Sequence, residues 1–197
     1  MRTLAALLLA TAMAPATAAI VTFDGYMPRY DYSMSLIQAD GFNFAVTCTN
    51  CMGVDDRPPQ ALNGDPLPGA YNGTPSLLYS QDPLAISAVG GGAFYLDRLD
   101  LGQSWYVPDV DVGSLVTVSY VLAAGGSGSQ QALLDRSYTT VVIGEDVLSV
   151  SITGGRGFGY VSLDNVVVNN LPEPESAGLA LVALVGAAAA RRRHREA

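Results

Sequence analysis

The chain has 197 residues, enough for one domain of ordinary size, and 49% of them are hydrophobic, which excludes wholesale disorder. It has ten arginines, no lysine and eighteen acidic residues, so its net charge is −8. This acidity excludes nucleic-acid binding, and the 21 glycines and 11 prolines exclude a coiled coil.

The first 19 residues have the three parts of a secretory signal peptide. Arg2 supplies a positive charge, residues 4–13 are a short apolar run, and residues 16–18 are a small-x-small cleavage site. The alternative is a transmembrane anchor, for which the apolar run is too short. We therefore predict that residues 1–19 are removed on export.

Short β-strands separated by turn residues are predicted from residue 20 onward. Residues 49–75 hold Asn, Asp, Gly and Pro densely, which predicts a long loop. No window between the termini has helical periodicity, so the predicted fold for residues 20–170 is an antiparallel β-sandwich. The predicted strands cover residues 20–24, 42–48, 77–79, 84–89, 93–101, 104–107, 115–122, 138–143, 147–153 and 157–168, with a flexible turn at 125–129.

Residues 20–170 contain five arginines, fifteen acidic residues and neither histidine nor lysine, a net charge of −10. A Ser–His–Asp triad, a His-ligated zinc site and a Schiff-base lysine are therefore excluded within this segment. We predict no catalytic residues. A hydrolase would need two carboxylates converging in a cleft, and nothing in the sequence selects such a pair.

Cys48 and Cys51 form a CxxC pair at the end of a predicted strand. In an oxidising exterior, an even count of two favours a disulfide that closes a short loop. A redox pair would need the first cysteine at a helix N-terminus, and a zinc knuckle would need two further soft ligands that the sequence lacks. The disulfide is the prediction, with a redox pair or two reduced thiols as alternatives.

The C-terminus has three parts in order. Pro172, Glu173 and Pro174 lie in a rigid acidic segment, residues 177–190 are apolar or glycine without charge, and residues 191–195 are basic. Fourteen helical residues cover about 21 Å, which is short of the ~30 Å hydrocarbon core. The arginines can reach the headgroups and would keep this end cytoplasmic.

This tail, residues 171–197, resembles the PEP-CTERM sorting signal of Gram-negative bacteria, with Pro172, Glu173 and Pro174 as its motif. The resemblance implies transient anchoring in the inner membrane through the apolar helix, followed by cleavage by an exosortase. It also implies release or surface display, often in bacteria that make exopolysaccharide. The alternative is a plain C-terminal membrane anchor.

The order of the segments resembles jelly-roll modules of PEP-CTERM ectodomains, with residues 21–24 opening the domain and residues 162–168 closing it. The resemblance implies that the first and last strands are neighbours and that Asp24 and Asp164 could hold a structural calcium. The alternative is that these acids cap turns. In a regular strand, Asn165 would point away from Asp164.

Two further groups are candidates for ligands. Tyr26, Tyr30 and Tyr32 are predicted to cluster in a loop, where aromatic faces suit sugar rings. The alternative is that they partly bury their rings at the end of the sandwich. A second acidic group is interpreted as solvated turn residues. Its members are Asp97, Asp100, Asp109 and Asp111.

The sequence thus predicts a secreted or surface-displayed structural or adhesive protein of the cell envelope or exopolysaccharide matrix. Its partners would be the exosortase, the secretion machinery and exopolysaccharide, with no nucleic acid. No cofactor is predicted apart from the candidate calcium. The alternative is a glycan-binding module, which should present an aromatic platform on one face.

Overall fold

The computed structural model describes residues 18–26, 29–55, 61–62, 65–66, 70–80, 83–103, 114–154 and 161–169. These residues form fourteen strands and two antiparallel sheets, a large one and the small β6–β7 pair. The described residues contain no helix capable of spanning a membrane. The first seven strands are β1 (Ala19–Val21), β2 (Arg29–Met34), β3 (Leu36–Ala39), β4 (Phe42–Ala45), β5 (Met52–Asp55), β6 (Ala61–Leu62) and β7 (Asp65–Pro66). The others are β8 (Ser76–Tyr79), β9 (Leu84–Ala88), β10 (Phe94–Gln103), β11 (Ser114–Leu122), β12 (Ser127–Leu134), β13 (Thr139–Gly154) and β14 (Val161–Asn169).

The large sheet folds over on itself along β13, which takes part in two layers. Residues 139–147 of β13 pair with β10, and residues 147–154 pair with β11. Within the first part the register shifts opposite Leu96 and Arg98, where Gly144 has a φ of 67°, and a second shift lies between Ser149 and Val147, where the parts meet. Such a bulge bends a strand, and glycine adopts this left-handed conformation without steric cost.

Layer A contains β2, β5, β8, β14, β10 and the first part of β13, with β1 also paired to β14. Layer B contains β12, β11, the second part of β13, β9, β4 and β3. The pairing of β1 with β14, at Val21↔Val166, confirms that the first and last strands are neighbours. The predicted all-β antiparallel sandwich is confirmed.

The hydrophobic core lies between the layers, because alternate side chains of each strand point inward. Aromatic rings contact each other edge to face between the layers. The ring centroids of Phe42 in β4 and Phe94 in β10 are 4.9 Å apart, and those of Phe23 and Phe44 are 5.2 Å apart. Each pair adds about 1 kcal/mol beyond its buried area. The buried cluster begins at Val21 and ends at Val168, so residues 18–169 contain the complete core of the described part.

Several strand predictions were wrong. Residues 29–39 carry β2 and β3, although no strand was predicted there, and the predicted loop 49–75 contains β5. The predicted turn 125–129 runs into β12, and the two strands predicted at 138–143 and 147–153 are one strand, β13. Glycines and polar residues weaken the sequence signal in these segments, but pairing with neighbouring strands satisfies their backbone groups.

Candidate ligand site on the outer face of layer A

A row of polar side chains crosses three strands on the outer face of layer A. The register pairs Asp100 of β10 with Asp164 of β14 on one side and with Thr140 of β13 on the other. Side chains of paired residues share one face of a sheet. The Thr140 hydroxyl donates to Asp100 Oδ1 at 2.6 Å, so this row is held together by its own hydrogen bonds.

Asn165 joins the two carboxylates. Its backbone N–H donates to Asp164 Oδ1 at 2.7 Å, and its side-chain Nδ2 donates to Asp100 Oδ2 at 3.0 Å. This geometry requires an irregular strand, since Asn165 has a φ of 46° and the β10–β14 register shifts between Arg98 and Asp100. The expectation that Asn165 points away from Asp164 was therefore wrong, because it assumed a regular strand.

The chain segment before β8 covers Asp164. Asn72 Nδ2 donates to Asp164 Oδ2 at 2.7 Å, and the Thr74 hydroxyl lies 2.8 Å from the same oxygen and 2.6 Å from Asn72 Oδ1. Asp164 is only 1% exposed, so its carboxylate is satisfied by protein donors and holds the segment in place. We call Asn72, Thr74, Asp164, Asn165, Asp100 and Thr140 the polar strip.

Gly102 lets the covering segment approach the sheet closely. The N–H of Ala70 donates to the carbonyl of Gln103 at 2.8 Å, which holds the segment against β10. A Cβ added at Gly102 would overlap the Cβ of Ala70 and would lie 3.2 Å from the ring of Tyr138. A larger residue here would push both away from the sheet.

The hydroxyl groups of Tyr138, Ser162 and Ser76 are hydrogen-bonded in a row beside the polar strip. Ser162 Oγ donates to Ser76 Oγ at 3.0 Å, so its single proton is used and the Tyr138 hydroxyl donates to Ser162 at 2.7 Å. Burial raises the pKa of Tyr138, and the charges of Asp164 and Asp100 raise it further, against the two serine hydrogen bonds. Tyr138 is therefore a neutral donor at physiological pH.

Asp100 is a charged group in the strip with acceptor capacity left for a ligand. It is partly exposed, and each of its two oxygens accepts one hydrogen bond although each has two lone pairs. Asn72 and Thr140 beside it are exposed, and Tyr71, next to Asn72 in the chain, is 38% exposed. The arrangement can accept hydrogen bonds from ligand hydroxyls and can offer hydroxyl and amide groups in return. It also corrects the interpretation of Asp100 as a solvated turn residue, since Asp100 lies within β10.

The calcium site at Asp24 and Asp164 stays a prediction. The pairing of β1 with β14 brings the chain before Asp24 to the closing strand, and Asp24 is exposed. The oxygens of Asp164, however, accept hydrogen bonds from Asn72, Thr74 and Asn165. Within the described ranges, no group of three or more His, Cys, Asp or Glu side chains could hold a metal ion.

The tyrosine cluster is only partly described. Tyr26 packs against the core, and its hydroxyl donates to the carbonyl of Gln38, so its polar group serves the fold. The backbone around Tyr30 and Tyr32 forms β2 and not a loop, while their side chains lie outside the described part of the structure. The ligand role of these tyrosines stays a prediction.

The CxxC pair is a disulfide, as predicted. Cys48 and Cys51 are joined at an S–S distance of 2.01 Å, with a Cα–Cα distance of 5.9 Å, in the turn that leads into β5. Cys51 is buried and contributes to the core.

The predicted signal peptide and C-terminal helix lie outside the described residues. So do five of the candidate residues: Asp109, Asp111, Pro172, Glu173 and Pro174.

Most of the polar strip was not selected from the sequence. Asn72, Thr74 and Thr140 carry no motif, and each contacts a residue that is 40 to 92 positions away in the chain. The only available signal was the alternation of Asp164 and Ser162 with valine and leucine in β14, which predicts two different faces.

No family model matches the chain, and no curated protein matches it. Among solved structures, the chain is similar to a mutant of the family 29 carbohydrate-binding module CBM29-2 complexed with cellulohexaose, at 9% identity and a TM-score of 0.43, over 80% of this chain and 93% of that one. It is also similar to TmCBM61 in complex with beta-1,4-galactotriose, at 10% identity and a TM-score of 0.42, over 64% and 86% of the two chains. A third similarity is to the CBM22-1–GH10 modules of Clostridium thermocellum endo-1,4-beta-D-xylanase 10B complexed with xylohexaose, at 12% identity and a TM-score of 0.38, over 76% of this chain and 28% of that one.

Proposed function

We propose that the β-sandwich is a non-catalytic glycan-binding module that holds a neutral saccharide at the polar strip. The observation that carries this proposal is the partly exposed carboxylate of Asp100, oriented by Asn165 and Thr140 with acceptor capacity to spare. Hydrogen bonds to a carboxylate are about twice as strong as those between neutral groups. A pair of ligand hydroxyls would complete the acceptor capacity of Asp100.

The charge of the strip selects the ligand class. Its ionisable members are Asp100 and Asp164, and its other members are neutral amides and hydroxyls, in a chain with a net charge of −8. Uronates, sulfated glycans and phosphates would be repelled from two neighbouring carboxylates. A neutral polyhydroxylated ligand would meet no such repulsion.

Binding would be tested on residues 18–169 by isothermal titration calorimetry with neutral glucan, galactan and xylan oligosaccharides and with oligogalacturonate as the charged comparator. Asp100→Asn keeps the shape of the side chain but removes its charge and converts one oxygen into a donor. We expect at least a tenfold loss of affinity from this variant. Asp146→Asn, an exposed acid outside the strip, is the matched control and should leave affinity unchanged. Equal affinity of Asp100→Asn and the unaltered protein would contradict the proposal.

We also propose that this module is exported and trimmed at both ends, as the resemblance of residues 171–197 to a sorting signal implies. Support comes from the terminal segments of the sequence and from the disulfide, which suits an oxidising compartment. Mass and location of the protein in its host test this part. A chain that still carries residues 191–195 in the inner membrane would be an anchored ectodomain and would contradict trimming.

A further inference from the structure

A second row of side chains crosses the outer face of layer A next to the polar strip. Ile20 of β1 pairs with Val167 of β14. Arg98 of β10 pairs with Val167 on one side and with Val142 of β13 on the other. We call these four residues the Arg98 row. On β10 the row lies two residues from Asp100, which is a step of about 6.6 Å along the strand. The polar strip and the Arg98 row are therefore neighbouring parts of one surface.

The side chains of the Arg98 row point away from the core. Val141 and Ile143, which flank Val142 in the chain, belong to the core, so alternation turns Val142 outward. Ile20 is 52% exposed and Val142 is 58% exposed, and the side chain of Arg98 is 47% exposed. The row thus offers a guanidinium group to solvent with an exposed aliphatic side chain on each side of it.

The guanidinium of Arg98 is oriented by its neighbour in the chain. Its Nη1 donates to Asp97 Oδ2 at 2.6 Å. A guanidinium has five N–H donors, so this hydrogen bond leaves donors for a ligand. An exposed ion pair of this kind contributes at most about 1 kcal/mol to stability. The Asp97–Arg98 pair has no net charge, so it does not change the preference of this surface for a neutral ligand.

The polar strip and the Arg98 row have complementary hydrogen-bonding groups. The carboxylate of Asp100 only accepts hydrogen bonds, and the guanidinium of Arg98 only donates them. Sugar hydroxyls can do both, whereas the ring and glycosidic oxygens of a saccharide can only accept. A sugar whose hydroxyls donate to Asp100 would therefore leave the oxygens of the next sugar to Arg98. The C–H groups of that second ring can pack on the aliphatic side chains of Val142 and Ile20.

We propose that the Arg98 row is a second saccharide subsite, so that the module holds a chain of at least two sugars extending along β10. This inference rests on the proposed function, because it takes the sugar held by Asp100 as the first of the chain. The step of about 6.6 Å from Asp100 to Arg98 is comparable with the length of one sugar unit in a linear glycan. The substrate class is therefore a linear neutral oligosaccharide and not a single sugar.

NMR titration of residues 18–169 with glucan, galactan and xylan saccharides of one to three sugars tests this inference. We expect the dissociation constant to fall at least tenfold between one sugar and two, because the second sugar adds charge-assisted hydrogen bonds. Arg98→Gln keeps a polar side chain but removes the charge. It should remove most of the gain from the second sugar and leave affinity for a single sugar unchanged. Arg136→Gln is the matched control, since it removes the same charge from an exposed arginine outside the strip and the row.

A second readout locates the added contact in the unaltered protein. The methyl signals of Ile20 and Val142 should shift when a disaccharide binds and should stay in place when a single sugar binds. Absence of binding by every saccharide would overturn the proposed function and this inference with it. Equal affinity for one sugar and two, or a length dependence that Arg98→Gln leaves unaltered, would overturn this inference alone.

Discussion

Asn165 donates its side-chain amide to the carboxylate of Asp100 at 3.0 Å while its own N–H donates to Asp164 at 2.7 Å. One residue in the left-handed region thus orients two carboxylates on neighbouring strands. Asparagine is suited to this position because it tolerates a positive φ and carries the donor that Asp100 accepts. The candidate site therefore depends on an irregularity of β14.

Substitution of Asn165 should separate its backbone role from its side-chain role. Asn165→Gly removes the side-chain hydrogen bond to Asp100, so the free energy of unfolding should fall by about 1 kcal/mol. Glycine adopts the positive φ of this position without steric cost. Asn165→Ala also places a Cβ in the left-handed region, which costs about 1 kcal/mol more. Urea denaturation of both variants measures the difference. Equal stability of the two would show that the backbone conformation of Asn165 relaxes freely.

The disulfide should contribute modestly to stability, because it closes a loop of only four residues. The loop-closure relation gives about 2 kcal/mol, which Cys48→Ser/Cys51→Ser should remove. Thermal and urea unfolding of the variant measure this loss. Non-reducing intact mass of the mature protein should be two hydrogens below the reduced formula, and a free-thiol mass would contradict the bond.

Buried Tyr79 and half-buried Tyr138 should respond in opposite directions to loss of the hydroxyl. Tyr79 is 1% exposed and its hydroxyl has no hydrogen-bond partner in the described structure, so Tyr79→Phe should raise the free energy of unfolding by about 1 kcal/mol. Tyr138→Phe should lower it by about 1 kcal/mol, because Ser162 would lose its donor. Urea denaturation at neutral pH measures both variants. A destabilised Tyr79→Phe would reveal a partner for that hydroxyl.

Alkaline pH should destabilise the fold through the same two residues. Burial raises the pKa of Tyr79 and of Tyr138 above the ordinary value of 10.0. Below pH 10.0 both the folded and the unfolded protein keep the tyrosine protons, so the contribution of these residues to the free energy of unfolding is fully present. Above it the unfolded state loses protons that the folded state keeps, so stability falls as pH rises toward the folded-state pKa.

Unfolding free energies measured between about pH 8 and pH 11 would show this decline, and phenolate absorbance would report when the two rings ionise. Tyr79→Phe should make the decline shallower than in the unaltered protein. A stability that stays constant above about pH 10 would contradict the raised pKa values.

Strand patterns account for how well the fold could be predicted. Residues 84–89, 93–101 and 115–122 alternate or are rich in β-branched side chains, and each corresponds to an observed strand. Residues 127–134 are mostly serine, glutamine and glycine, so β12 was missed. Its backbone pairs with β11 along its length, and that pairing depends on the neighbouring strand.

The candidate site was predicted poorly for a related reason. Asp164 was selected as a candidate ligand of calcium, but its partners Asn72 and Thr74 lie 92 and 90 positions away. The predicted loop containing both residues had no visible role in the sequence. This segment lies over β14 because Asn72 and Thr74 bond to Asp164 and because Gly102 of β10 permits its close approach.

The sequence by itself determined the acidic charge and the lack of histidine and lysine between residues 20 and 170. Its local patterns also predicted the β class and the Cys48–Cys51 pair, because neither requires knowledge of long-range contacts. Tertiary structure alone decided which layer each strand joined, where β13 bends, and which polar side chains meet on the outer face of layer A. The physical reason is that strand alternation specifies two faces but not their neighbours. The neighbours follow from pairing between strands that are far apart in the chain.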